Sequence, residues 1–349
     1  MPDQIAIRQI ARPMCPVCGT DGASLYEDLR DRLFAAPGLW SLVRCRNSAC
    51  ALVWLSPAPS TADLEQLYGS YYTHSDVVAG RSAIRAARAL YRLCVDAVLA
   101  LIGVLGQKRR ARLMFLDRDA PATLADIGCG DGSFLKTMAG RGWQVTGVDF
   151  DAAAVAFARG RGLDVTIGTA QSLLQSGRRF DVVTASHVIE HLPDPEAFLS
   201  HCRSLLRPGG KIVVKTPNSA SFGHRRYGRD WRGLEPPRHL QIFTPASLIA
   251  CAAKARLRTA ACFTTCAEAE WILIASHFLR SKGEYRFQDL SAADLLKWLL
   301  LAPVLAVRAW IAWRLDRDSG EELCVILADA VDPVPPTDKT AASVRAARA

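Results

Sequence analysis

Residues 124–136 constrain the fold more than any other part of this chain. A short apolar run ends in Asp126, three glycines follow at alternate positions, and an amphipathic pattern begins at once. The glycines are Gly128, Gly130 and Gly132. Glycine lets a backbone approach a ligand closely because no Cβ intervenes, and a helix N-terminus offers free N–H groups to an anion. The segment therefore predicts a strand, a ligand-binding turn and a helix.

A second apolar run, residues 144–148, ends in Asp149. A carboxylate at such a strand end can accept both hydroxyl hydrogens of a ribose. The dinucleotide fingerprint requires Gly-x-Gly-x-x-Gly or Ala, but Ser133 stands at the third position here. The spacing therefore favours a nucleoside ligand other than a dinucleotide.

Strand and helix patterns alternate along most of the remaining chain. We predict strands near 123–127, 144–149, 164–167, 180–186, 210–216, 257–266 and 322–330. We predict helices near 132–140, 151–160, 195–206 and 289–315, and one that starts at 244–245. This alternation is typical of an α/β fold with a doubly wound, mostly parallel, seven-stranded sheet.

The glycine motif with Asp149 resembles motif I of class I S-adenosylmethionine-dependent methyltransferases. Residues 180–195 and 206–218 resemble the fourth and fifth strands of the same family, including the sequence His-Val-Ile-Glu-His-Leu-Pro-Asp-Pro. Trp231, Pro237-Arg-His-Leu and Phe243-Thr-Pro resemble a branch with an N-terminal zinc ribbon. Members of that branch often modify sugars of cell-surface polysaccharides. The resemblance implies a Rossmann-like methyltransferase fold and S-adenosyl-L-methionine as the methyl donor.

The resemblance also implies a set of donor-binding residues. These are Asp126, Gly128, Cys129, Gly130, Gly132, Asp149, Phe150, Gln171 and Ser186. The family often has an acidic side chain for the adenine amine after the third strand. Here we expect the amide oxygen of Gln171 to replace it. We interpret Cys129 as a small spacing residue and not as a nucleophile.

Three histidines are candidates to activate an acceptor. A hydroxyl is a poor nucleophile until it loses its proton, and a nearby histidine can take that proton. His187 and His191 follow the fourth strand, at the edge where ligands bind in such sheets. We predict these two as catalytic residues. His239 and Trp231 lie in the long irregular segment 217–243, so we predict that they contact the acceptor.

Two short cysteine pairs precede the catalytic motifs. Cys15 and Cys18 belong to a CPVCG sequence, and Cys45 and Cys50 are separated by four residues. Four thiolates from two short loops satisfy tetrahedral zinc, so we predict a structural Zn²⁺ site. With eleven cysteines and no signal-peptide pattern in the sequence, we expect a reducing, cytoplasmic compartment.

The net charge of +9 favours anionic partners. Arginines recur at helical spacing along 81–92, and residues 295–315 are apolar and rich in tryptophan. We predict no transmembrane helix, because charged residues or Pro303 interrupt the apolar runs. We expect peripheral contact with the inner face of the membrane through helices 81–105 and 295–315. Alternatively, the arginines form a solvated face and 295–315 is a core or dimer helix.

The leading functional prediction is S-adenosylmethionine-dependent methyl transfer to a sugar or glycan hydroxyl. The alternative is a ribosomal-RNA base methyltransferase with a zinc ribbon. The chain lacks the Asp/Asn-Pro-Pro-aromatic segment that such base methylases often have after strand four, which disfavours nucleic acid. A non-catalytic scaffold is a third option, against which the intact glycine motif argues. We expect a zinc ribbon at 1–60, a helical connector at 61–118, a methyltransferase domain at 119–331 and a disordered tail at 332–349. Within the methyltransferase domain we expect an acceptor-covering segment at 217–243 and an apolar helical insert at 268–316.

Overall fold

The computed structural model describes residues 7–68, 95–286 and 290–330. The predicted arginine stripe at 81–92 and the predicted tail at 332–349 lie outside the described residues. Contacts divide the chain into two compact units. Unit 1 comprises Met1–Lys108, Pro217–Thr244 and Thr264–Glu322, and unit 2 comprises Arg109–Thr216, Pro245–Phe263 and Leu323–Ala349.

The described residues form the following regular elements. The strands are β1 (Gln9–Ile10), β2 (Gly22–Leu29), β3 (Trp40–Cys45), β4 (Val53–Leu55), β5 (Ala58–Pro59), β6 (Thr123–Ile127), β7 (Gln144–Asp149), β8 (Val165–Ile167), β9 (Phe180–Ser186), β10 (Leu206–Pro217), β11 (Gln241–Ile242), β12 (Leu257–Thr265) and β13 (Glu322–Asp329). The α-helices are α1 (Val104–Arg112), α2 (Ser133–Ala139), α3 (Ala152–Gly160), α4 (Ala170–Gln175), α5 (Pro195–Ser204), α6 (Phe222–Tyr227), α7 (Pro245–Lys254), α8 (Ala269–Lys282) and α9 (Ala292–Leu315). Short 3-10 helices lie at Thr61–Tyr68, Ile189–His191, Gly228–Asp230 and Arg232–Leu234.

Unit 2 is built on a seven-stranded sheet with the order β12-β13-β10-β9-β6-β7-β8. The four neighbouring pairs from β8 to β10 are parallel. Parallel strands need crossover connections, and helices α2 to α5 supply them. The order reverses between β6 and β9, which makes the carboxyl ends of these strands the expected ligand edge. The predicted doubly wound, mostly parallel sheet is confirmed.

Local sequence fixes the ends of the crossover helices. The Asp194 carboxylate accepts a hydrogen bond from the backbone N–H of Ala197, and Pro195 occupies the first turn of α5. Asp151 caps α3 in the same way. Each cap satisfies N–H groups that have no partner inside the helix, which typically contributes about 1 kcal/mol. The helix starts predicted near 151 and at 195 are therefore confirmed within one residue.

Unit 1 contains a four-stranded antiparallel sheet with the order β11-β4-β3-β2. Three residues of β3 and all three residues of β4 are buried. Trp40, Leu42, Val53 and Leu55 of these strands share one hydrophobic cluster with α8 and α9, which also includes Phe278, Trp298 and Trp313. One side of each of the apolar segments 268–282 and 292–315 therefore belongs to the same hydrophobic cluster as the N-terminal strands.

A buried ionic network orders the long segment 217–243. The guanidinium of Arg238 is fully buried and donates to both carboxylate oxygens of Asp31, at 2.9 and 3.1 Å. It also donates to Glu235 at 3.0 Å. Removing one partner of such a buried pair leaves an uncompensated charge, which typically costs about 3–5 kcal/mol. Arg238 therefore has a structural role in unit 1.

The contact-based division differs from the boundaries expected from the sequence. Segment 217–243 and the insert 268–316 group with the N-terminal strands, not with most of the seven-stranded sheet. The reason is the hydrophobic cluster that β3, β4, α8 and α9 share. Such long-range packing leaves no local signal in the sequence.

Helix α9 qualifies by length and composition as a candidate membrane span. Its 24 residues have a mean hydropathy of 1.7 over the best window, of which 28% is buried. Core helices of globular proteins can be equally long and apolar. The absence of a transmembrane helix stays a prediction.

Candidate active site

The turn between β6 and α2 has the geometry of a ligand cradle. Gly128, Gly130 and Gly132 have φ angles of +71°, +53° and +72°, which side chains rarely adopt. A Cβ on Gly128 would lie 2.5 Å from Val188, and one on Gly132 would lie 2.5 Å from Leu163. A Cβ on Gly130 would meet no protein atom within 4 Å. The outer glycines are thus required for packing, whereas the space above Gly130 is open.

Asp149 ties the end of β7 to this turn. One carboxylate oxygen accepts the backbone N–H of Gly130 at 2.8 Å, and the other accepts that of Asp151 at 2.9 Å. A carboxylate offers about four lone-pair positions, so acceptor capacity remains for two hydroxyl groups. The predicted ribose acceptor is therefore held in place by backbone N–H groups.

Asp126 lies buried beneath the turn and accepts a hydrogen bond from the Thr184 hydroxyl at 2.7 Å. Burial raises the pKa of the Asp126 carboxyl to about 7, and the charge of Asp149 acts in the same direction. A cationic ligand nearby would favour the ionised form of this carboxyl. The protonation of Asp126 would therefore respond to the charge of a ligand bound at the turn.

Cys129 has the environment of a spacing residue. Its side chain is 7% exposed, and burial raises the pKa of its thiol well above the usual range. A thiol that stays protonated is a weak nucleophile. The interpretation of Cys129 as a small residue within the turn agrees with these properties.

Two exposed apolar side chains belong to the strand ends at Asp149, the predicted ribose acceptor. Phe150 is 52% exposed directly after β7, and Ile167 is 55% exposed at the end of β8. Asp149 and Ile167 are paired in the strand register. The two side chains can form an apolar platform for a planar ring. Ile167 was not among the residues predicted from the sequence, although its position at the end of the strand after Asp149 was a usable signal.

The other two predicted donor contacts lie on neighbouring elements. Gln171 is exposed in the first turn of α4, whose capping box is formed by Thr169 and Ser172. Ser186 is the last residue of β9 and is half-buried. Both therefore lie at the carboxyl end of the sheet, and a contact with the adenine remains a prediction for Gln171.

His187 directly follows β9 and is part of a hydrogen-bonded chain. Its Nδ1 lies 3.1 Å from Oε1 of Glu190, which is fully buried. The other carboxylate oxygen of Glu190 accepts the Thr216 hydroxyl at 3.0 Å. The His187 side chain is 41% exposed. The arrangement therefore fixes one ring nitrogen against a buried carboxylate while part of the ring faces outward.

The backbone of His187 is in the left-handed region, with φ of +56°. Its N–H donates to the carbonyl of Lys215 on β10 at 2.8 Å, which stabilises this conformation. Residues in such conformations cluster at functional sites. His191, the second predicted catalytic residue, ends the adjacent 3-10 helix and is half-buried.

Trp231 and His239, the predicted acceptor contacts, lie inside unit 1. Trp231 is 1% exposed, and its indole N–H donates to Glu321 at 3.0 Å. His239 is 5% exposed, and its Nδ1 lies 2.8 Å from the carbonyl oxygen of Gly233. In this conformation neither side chain offers surface to an acceptor. Their burial and polar contacts support a packing role, and contact with an acceptor stays a prediction.

The four predicted zinc ligands converge in unit 1. The sulfur atoms of Cys15, Cys18, Cys45 and Cys50 lie within 4.8 Å of one another. The Cys15 and Cys50 sulfurs are 3.8 Å apart, and those of Cys18 and Cys45 are 3.3 Å apart. Tetrahedral zinc with bonds of about 2.3 Å separates its sulfur ligands by about 3.8 Å. The donor set therefore fits a tetrahedral metal ion.

Comparisons with known proteins match the part of the chain that contains the glycine turn. The family model described as "Methyltransferase domain" matches residues 102–260. The ubiquinone biosynthesis O-methyltransferase of Cereibacter sphaeroides is 39% identical over 130 residues, which are 33% of this chain and 53% of that protein. The protein of the same name from Idiomarina loihiensis is 42% identical over 100 residues, which are 27% of this chain and 41% of that protein. The chain spans about half the length of the curated relatives it matches.

Among solved structures, a SAM-dependent methyltransferase from Archaeoglobus fulgidus aligns with a TM-score of 0.42 and 23% identity, over 63% of this chain and 91% of that chain. Residues 102–260, which match the methyltransferase-domain model, include the glycine turn and five strands of the seven-stranded sheet.

The residues at the carboxyl end of the sheet fit the donor. Phe150 and Ile167 are exposed apolar side chains that can offer a platform to the adenine, Asp149 can accept the ribose hydroxyls, and the glycine turn can hold the methionine portion. The open space above Gly130 is of the kind that a bound group would fill. S-adenosylmethionine supplies an electrophilic methyl group on a positively charged sulfur.

Replacing Gly130 with alanine is expected to weaken donor binding roughly tenfold or more, because the new methyl group occupies this space. Gly177→Ala is the matched control, since Gly177 has a φ of +75° and nothing within 4 Å of a Cβ. Both variants pay a similar backbone cost of about 1–2 kcal/mol. Calorimetric titration with S-adenosylhomocysteine measures the difference, and equal affinity of the two variants would exclude the donor from the Gly130 turn.

Proposed function

We propose that this protein transfers a methyl group from S-adenosylmethionine to a hydroxyl oxygen of a small-molecule acceptor. The observation that supports it best is the His187–Glu190–Thr216 chain at the carboxyl end of β9, beside the strand that carries the glycine turn. A hydroxyl acceptor needs a base, and these hydrogen bonds orient the His187 ring for that role. The names of the relatives, which are O-methyltransferases, support an oxygen acceptor.

His187 is the proposed base. With Nδ1–H donated to Glu190, the neutral imidazole carries its lone pair on Nε2 and can take the hydroxyl proton there. The acceptor oxygen forms a bond to the methyl carbon as the carbon–sulfur bond breaks, and the electron pair of that bond stays on sulfur. Buried Glu190 stabilises the imidazolium that results. His191 is the second candidate for this role.

Two acceptor classes compete. The relatives are named for ubiquinone biosynthesis, and an oxygen methylated in the assembly of a quinone is a ring hydroxyl, which favours a phenol. The sugar or glycan hydroxyl expected from the zinc-ribbon branch is the second class. A phenol is the more acidic group and therefore the easier one for a histidine to deprotonate.

A panel of acceptors tests the proposal. The purified chain is incubated with methyl-labelled donor and with a dihydroxybenzoate, a nucleotide sugar or ribosomal RNA in turn. We expect label in the phenol fraction and the release of one S-adenosylhomocysteine per methyl group. Label in the sugar fraction would retain O-methylation but change the acceptor. Label in RNA alone would overturn the proposal in favour of base methylation.

We also propose that Cys15, Cys18, Cys45 and Cys50 hold a structural Zn²⁺. The convergence of the four sulfurs supports this, together with the short backbone turns at both pairs. All four positions of a tetrahedral ion are filled by thiolates, which is the pattern of a structural and not of a catalytic site. The ion would connect the loop before β2 with the end of β3.

A further inference from the structure

Helix α9 of unit 1 carries a continuous apolar stripe that faces outward. Five large apolar side chains on one face are exposed by 45 to 85%. They are Leu296, Leu300, Val304, Ile311 and Leu315. At 100° per residue they fall within an arc of about 100°. We call this stripe the α9 outer face.

The opposite side of α9 holds the helix firmly on unit 1. Trp298, Leu305 and Trp313 are buried in the hydrophobic cluster, and the Trp313 indole donates to the Thr264 carbonyl at 3.1 Å. Asp294 completes a capping box and pairs with Lys282. The helix is therefore a fixed part of unit 1, and the α9 outer face is exposed without any rearrangement.

Positive charge accompanies the apolar stripe. Lys297, Arg308 and Arg314 are exposed, and helical geometry places all three within the same arc of about 120° as the stripe. The single acidic residue of the described helix is Asp294, which is 3% exposed and lies on the buried side. Long basic side chains can extend to a polar layer while their stems lie on apolar surface. The α9 outer face is thus complementary to a surface with an apolar interior and an anionic outer layer.

A groove adjoins this face between α8 and α9. It has a volume of about 480 Å³. Phe278, Leu300 and Leu301 form the apolar walls of the groove. The basic side chains of Lys282 and Lys297 also line it. An amphiphile with an acyl chain and an anionic headgroup matches this combination of walls and charges.

We infer that the α9 outer face docks on an anionic lipid bilayer, with the helix lying in the plane of the interface. The apolar side chains enter the boundary between headgroups and acyl chains, and the three cations meet the lipid phosphates. The fixed, half-buried position of α9 argues for contact along one face and against a helix that crosses the bilayer. The inference is independent of the acceptor, since it uses none of the residues proposed for catalysis.

Vesicle flotation at low salt tests the inference, with phosphatidylglycerol–phosphatidylcholine vesicles compared with phosphatidylcholine alone. We expect the full chain to float with the anionic vesicles. Leu296→Gln/Leu300→Gln/Val304→Gln should bind at least about tenfold more weakly. Lys297→Gln/Arg308→Gln should lose about fivefold per cation, and less at high salt.

Phe157→Gln/Ile249→Gln is the matched control, because both side chains are exposed apolar residues of unit 2. It should float like the parent protein, and all variants should keep their thermal midpoint and donor affinity. The inference is overturned if the parent protein binds neither vesicle, or if the triple glutamine variant floats equally well. Resistance to alkaline carbonate would instead indicate a spanning helix. Concentration-dependent dimers that the triple variant abolishes, without vesicle binding, would identify a second copy as the occupant.

Discussion

Replacing His187 with asparagine is expected to lower turnover by about 10²–10⁴-fold and to leave donor binding unchanged. A positioned general base typically contributes this much to the rate. Asparagine is the appropriate substitution because His187 has a φ of +56°, a conformation that asparagine tolerates better than most residues. The measurements are turnover with the accepted phenol or sugar, donor affinity by calorimetry and the thermal midpoint.

His201→Ala is the matched control, since His201 is a half-buried histidine of α5 in the same unit. It should keep the turnover of the parent protein. If His187→Asn stays folded, binds donor and retains full turnover, His187 is not the base. The proton would then pass to His191 or to water.

Glu190 is a positioning residue in this account, and Glu190→Gln separates that role from a structural one. The amide keeps the shape of the side chain but removes the charge that faces His187 Nδ1. We expect lower turnover, and we expect the rising limb of the pH–rate profile to move to lower pH because the imidazolium loses its anionic partner. A residue needed only for packing would lower the thermal midpoint without moving that limb.

Loss of zinc is expected to have the largest effect on folding. Structural zinc binds zinc-finger peptides with about 10–16 kcal/mol of apparent free energy, and part of that binding energy would stabilise the sheet of β2 to β4. Cys15→Ser/Cys45→Ser should therefore lose its metal and lower the thermal midpoint of unit 1. Elemental analysis of protein from zinc-supplemented medium should find about one zinc per chain in the parent protein.

Cys262→Ser is the control, because Cys262 is a half-buried cysteine outside the cluster. It should retain zinc. Donor binding should survive in the double variant, because the glycine turn lies on β6 and α2 of unit 2. Stoichiometric zinc in Cys15→Ser/Cys45→Ser would remove these residues from the site.

Much of unit 2 could be predicted from the sequence because its signals are local. The runs that end in Asp126 and Asp149 became β6 and β7 at nearly the predicted bounds, and Asp194 with Pro195 marked the start of α5. Strand β10 begins at Leu206, earlier than predicted, because an irregular pairing with β9 extends it. Motif spacing and helix caps depend on residues a few positions apart, so they can be read without tertiary information.

Contacts distant in sequence were not predictable in the same way. The sequence left Glu190 as either a partner of a histidine or a solvated residue, and its hydrogen bond with Thr216, at a sequence separation of 26, gave no signal. Trp231 and His239 were expected to contact the acceptor, but both are buried within unit 1, where Trp231 donates to Glu321 at a sequence separation of 90. Which side of α9 is exposed likewise depends on which of its residues pack into the hydrophobic cluster of unit 1.

Calorimetric titration of the full chain tests most directly whether the carboxyl end of the seven-stranded sheet binds S-adenosylmethionine. We expect one site per chain for the donor and for S-adenosylhomocysteine. Asp149→Ala should weaken binding by about 1.5–3 kcal/mol, because the ribose hydroxyls lose a charged acceptor. If the parent protein releases no heat with either nucleoside, and neither raises its thermal midpoint, the assignment of this site to a methyl donor is contradicted.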